Sequence, residues 1–109
     1  MSTFDERERA YEKKFALDEE LRFKATARRN KLLGRWAAEK IGLSEAESEA
    51  YAKDVVIADL EEPGEEDVFR KVRDDFDARG VEQSDHQIRR AMVDLMALAV
   101  DQIEKESKE

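Results

Sequence analysis

SDHQIRRAMVDLMALAVDQI, residues 84–103, is the stretch on which the fold class turns. Ile88, Met92, Leu95, Ala99 and Ile103 recur at intervals of 4, 3, 4 and 4 residues, the spacing at which an α-helix returns to one face. Met96 and Val100 broaden that stripe. Ser84 opens the run and Gln87 stands three residues on, which is the form of a capping box: each side chain accepts from the other residue's amide. Nowhere does the chain alternate apolar and polar residues as a half-buried strand would.

The same signals extend outward from this helix. Before it, a helix is expected over residues 65–79, with Val68, Phe69, Val72 and Phe76 as its apolar stripe. Glu65, Glu66 and Asp67 fall at its positive end, and Gly80 ends it, with Val81 able to fold back on Phe76 in a Schellman motif. Glu61-Glu62-Pro63-Gly64 closes an earlier helix that Ser44 and Glu47 open with a second capping box. Its apolar positions are Tyr51, Val55 and Ala58, with Ala50, Ile57 and Leu60 expected to widen the buried face. From Thr3, boxed with Glu6, to Ile41 nothing interrupts a helix except Gly34, at a cost of about 1 kcal/mol relative to Ala. The expected fold is all-α: a four-helix antiparallel bundle with short connections and an overlong first helix.

That first helix divides in two. Its second half places Leu21, Ala25, Leu32 and Trp36 on one face with Leu33, Ala37 and Ile41 beside them. Its first half carries a thinner stripe, Phe4, Tyr11 and Phe15, whose continuation runs onto Asp18, Glu19, Arg22 and Thr26 and so stops. An isolated helix of three turns is near its stability limit. Residues 1–18 are therefore expected to be a mobile N-terminal arm, and residues 19–109 the bundle. Three readings of the arm stand side by side: a solvated extension, an aromatic face awaiting a groove, or a dimerisation stripe.

Charge narrows the function. Residues 1–31 carry nine basic and seven acidic side chains, and the rest carry 11 basic and 21 acidic. So acidic a body is repelled by nucleic acid and by anionic lipid. From Leu21 to Ala38 every charged residue is basic: Arg22, Lys24, Arg28, Arg29, Lys31 and Arg35. Either the acidic helices neutralise this window, or Arg28, Arg29 and Lys31 hold phosphates without any glycine-rich loop. With no cysteine, one histidine (His86) and no catalytic motif, the chain reads as a non-enzyme. The acidic run at residues 61–67 lacks the alternating ligand spacing of a calcium loop, so no metal site is expected. A charged start and the lack of any apolar run near ~18 residues point to a cytoplasmic protein without direct membrane insertion.

Residues 4–43, FDERERAYEKKFALDEELRFKATARRNKLLGRWAAEKIGL, resemble the first half of the zeta subunit of the α-proteobacterial ATP synthase. YAKDVVIADLEEPGEEDVFRKV, residues 51–72, and the fourth helix are similar to it as well. ARRNKLLG and WAAEK with the following GL are the most specific strings. The resemblance implies an inhibitor folded as a four-helix bundle, peripheral to the inner membrane through the synthase and monomeric when free. Its arm would enter the catalytic head as a helix, between catalytic subunits and the central rotor, and block ATP hydrolysis. On this resemblance the partner-binding positions are Phe4, Asp5, Arg7, Glu8, Glu12, Lys14 and Phe15, and Tyr11 stands where relatives often carry another aromatic. No cofactor is required, although weak binding of adenine nucleotide is implied for some members. The rivals are a nucleotide-responsive regulator using Arg28, Arg29 and Lys31, and an adaptor that dimerises through Phe4, Tyr11 and Phe15.

Overall fold

The computed structural model describes residues 19–61 and 64–107, and these form four helices with no strand among them. They are α1 (Glu19–Ile41), α2 (Glu45–Glu61), α3 (Glu65–Ala78) and α4 (Asp85–Ser107). The capping box at Thr3 and the arm stripe lie outside the described residues.

Local chemistry sets the boundaries. Both described capping boxes close: Ser44 N donates to Glu47 Oε1 at 3.1 Å and Glu47 N to Ser44 Oγ at 3.2 Å. Ser84 N reaches Gln87 Oε1 at 2.9 Å, and Gln87 N reaches Ser84 Oγ at 3.1 Å. α3 ends as its sequence requires. Gly80 takes φ 69°, a conformation that costs a residue with a Cβ, and Val81 N then donates to Phe76 O at 2.9 Å. Arg73 locks the next corner, donating to Gln83 O at 2.6 Å and to Asp85 Oδ1 at 2.9 Å.

α1 is the element that the others share. It touches α2, α3 and α4, whereas α2 and α4 are not in contact. Leu33, Ala37, Val55, Val68, Val72, Phe76 and Ile88 are wholly buried at the centre, and Trp36 packs on Phe76 with ring centroids 5.8 Å apart. The α1–α2 seam is close because Gly34 has no side chain: a Cβ there would stand 2.5 Å from Ala52 Cα.

Two expected faces are corrected. On α1 the fully buried row is Ala25, Leu33, Ala37 and Ala38, and Leu21, Leu32 and Trp36 are only half-buried. Three neighbours surround α1, so small residues occupy its tightest contacts. On α2, Tyr51 and Val55 are buried as expected, but Ala50, Ile57 and Leu60 are exposed. The buried face widens the other way, onto Ala52, because Gly34 admits α2 on that side.

Candidate partner-binding site

The basic window on α1 is threaded through the body. Arg28 extends to α4, donating to Gln102 Oε1 at 2.8 Å and to both carboxylate oxygens of Glu106 at 2.9 and 3.0 Å. Arg35 pairs with Glu49 of α2 at 2.7 Å. Arg29 is 1% exposed, between α1 and the start of α3, where its Nη1 lies 3.7 Å from Glu65. Its Nε donates to Asn30 Oδ1 at 2.8 Å, and Asn30 Nδ2 donates to Asp59 Oδ2 at 2.9 Å. Asp59 also accepts from Gly64 N at 3.3 Å, which ties the α2–α3 corner to α1. Burial lowers the Arg29 pKa below the ordinary guanidinium range, and Glu65 and Asp59 oppose that shift.

These placements separate the three basic residues expected to hold phosphate. Arg28 faces α4, Arg29 lies beneath Glu65 of α3, and Lys31 is exposed beside α2 in a hollow of about 270 Å³ with Glu49, Ala52, Lys53, Val56 and Ile57. They point toward three different helices. His86 is exposed in the first turn of α4. The expected partner-binding residues Phe4, Asp5, Arg7, Glu8, Tyr11, Glu12, Lys14 and Phe15 lie outside the described residues.

Other polar contacts fasten the helices. Tyr51 donates to Asp75 Oδ2 at 2.7 Å, and Lys71 reaches the same oxygen at 3.1 Å. Burial first, and the hydrogen bond to Asp75 second, push the Tyr51 phenol well above its ordinary pKa. Arg89 of α4 grips Glu66 of α3 through two bonds of 2.9 and 3.0 Å and lies over the Phe69 ring at 4.0 Å. That grip holds the Glu66 carboxyl below its ordinary range.

Sequence reasoning missed three exposed apolar residues near the start of α1. Phe23 is 62% exposed, Leu60 59% and Ile57 48%. Phe23 stands off the Leu21–Ala25 row among basic residues, which was the available signal. Ile57 and Leu60 gave none, because their spacing fits the buried and the exposed side of α2 equally well. No described helix is long and apolar enough to cross a membrane.

A family model described as ATPase inhibitor subunit zeta matches residues 1–102. Four chains of solved structures also match. One of them, from solution NMR, is 48% identical, covers 79% of this chain and 98% of its own, and superposes with a TM-score of 0.69. The search of curated proteins gave no match.

Proposed function

The chain belongs to the ATPase inhibitor subunit zeta family, and from that premise we propose that it inhibits ATP hydrolysis by the rotary ATP synthase through residues 1–18. The observation that carries this reading is the extent of the family match, which spans the arm, the first three helices and most of α4. The arm enters the catalytic head as a helix, between catalytic subunits and the central rotor, and blocks rotation in the hydrolytic direction. Phe4, Tyr11 and Phe15 supply the apolar burial that offsets the entropy of ordering the segment. Asp5, Arg7, Glu8, Glu12 and Lys14 set register and pairing more than affinity. The four helices close as an antiparallel bundle that stays outside as anchor and stop. The protein needs no cofactor for this role, is monomeric when free, and reaches the inner membrane only through the synthase.

Titration of the purified catalytic head with point variants tests the reading. Phe4→Ala and Phe15→Ala should each raise the concentration for half-inhibition, by roughly fivefold or more if they are anchors. Charge reversal at Lys31, which is exposed, should leave inhibition unchanged. If Lys31 matters and the two aromatics do not, the phosphate-regulator reading replaces this one.

A further inference from the structure

The end of the body that begins at Glu19 bears three large exposed apolar side chains, on a molecule of which 44% is charged. Phe23 lies one turn into α1 from Glu19, and Leu60 lies in the last turn of α2, three residues beyond Ile57. The seam geometry places them toward the same end of the α1–α2 pair. α1 and α2 run antiparallel, with Gly34 against Ala52 and Asn30 bonded to Asp59. Lys31 and Ile57 line one hollow, together with Val56. One turn toward the start of α1, Ala27 comes level with Leu60, and one turn further Phe23 overhangs the end of α2. Among the described residues, the other large exposed apolar side chains, Val93 and Leu98, lie five positions apart on α4 and so point in widely different directions. Single exposed apolar residues are ordinary, whereas a contiguous group marks an interaction surface.

We propose that the patch formed by Phe23, Leu60 and Ile57 seats on the outer surface of the catalytic head, beside the point where the arm enters, as a second contact of the inhibitor. This rests on the arm-insertion reading above. The argument for this occupant is covalent continuity. Glu19 follows residue 18 directly, and Phe23 is only about 6 Å further along the helix. Any surface that surrounds an inserted arm therefore comes within reach of Phe23. The matching area on the head is an apolar protein surface, and Lys53 and Glu49 at the hollow offer charges of both signs to its rim. Because arm and patch belong to one chain, the second contact forms at high effective concentration, and a weak patch then tightens the whole complex.

The test is the full-length Phe23→Gln/Leu60→Gln variant, titrated against ATP hydrolysis by the catalytic head. Both side chains are more than half exposed, so its melting temperature should match that of the wild type. The concentration for half-inhibition should rise roughly tenfold or more, while inhibition at saturation stays complete. A wild-type midpoint overturns the proposal. A midpoint below wild type also overturns it, because the patch would then be restraining the arm in the free protein. If sedimentation shows a wild-type dimer that the variant loses, the patch belongs to a second copy and the proposal again fails. Failure of the insertion reading looks different: it appears when residues 2–14 are deleted and inhibition at saturation persists.

Discussion

Gly34 shows two residue-level effects in opposition. Alanine is the better helix former by about 1 kcal/mol, so propensity alone favours Gly34→Ala. The new Cβ would meet Ala52 Cα at 2.5 Å, a backbone atom that moves only if α2 moves. Overpacking of that kind costs typically about 1–3 kcal/mol and should win. Urea unfolding of Gly34→Ala should therefore show a lower midpoint, and a raised one would mean the seam is looser than its geometry. Glu66 gives a pH-dependent case. Its carboxyl is held below the ordinary value of 4.5 by Arg89, and Glu47 is held down likewise by its bonds with Ser44. A depressed folded pKa contributes stability that is complete above the unfolded value and is lost as pH falls through the folded one. The melting temperature of Glu66→Gln should thus lie below wild type at neutral pH and converge with it in acid, below about 4.5. A gap that persisted unchanged into acid would assign the Glu66–Arg89 contribution to something other than charge. Both carboxylates are exposed, so the effect should also shrink in salt.

Among the elements, α4 is the one whose sequence period and packing agree most closely. Ile88 is wholly buried and Leu95 is half-buried against the core. Ile88→Ala should cost roughly 2–5 kcal/mol through the cavity it leaves, and Leu95→Ala should cost less. Chemical denaturation of the two variants checks the order, and equal losses would mean α4 is rotated from its described position. The number of helices and most of their ends were legible because capping boxes and the Gly80 turn are local chemistry, written within a few residues. The faces were less legible. Ala50, Ile57 and Leu60 were read as buried, but which side of α2 is covered depends on Gly34 of another helix. A helical period locates a stripe without saying which neighbour will cover it. Arg29 and Asn30 make the same point from the opposite direction: both are polar, both are 1% exposed, and their burial depends on Glu65 and Asp59, which belong to other helices.

At the scale of the whole molecule, the basic window of α1 meets the acidic charge of the other helices. Arg28, Arg29 and Arg35 reach α4, α3 and α2 respectively. α1 thus serves the body as its shared packing element and, at Glu19, as the root of the segment to which inhibition is assigned. The candidate site rests on a stripe of three aromatics that stops at Phe15, which is read from the sequence alone and lies outside the described residues. The apolar patch at the root was not legible in the sequence, because it is assembled from two helices. The central claim is that inhibition resides in the arm and stability in the body. The measurement that tests it most directly is ATP hydrolysis by the catalytic head, titrated with the full chain and with a chain lacking residues 2–14, alongside thermal unfolding of both. The account predicts nearly equal melting temperatures, full inhibition by the intact chain and none by the shortened one. Equal inhibition by the two chains, or an unfolded shortened chain, would contradict it.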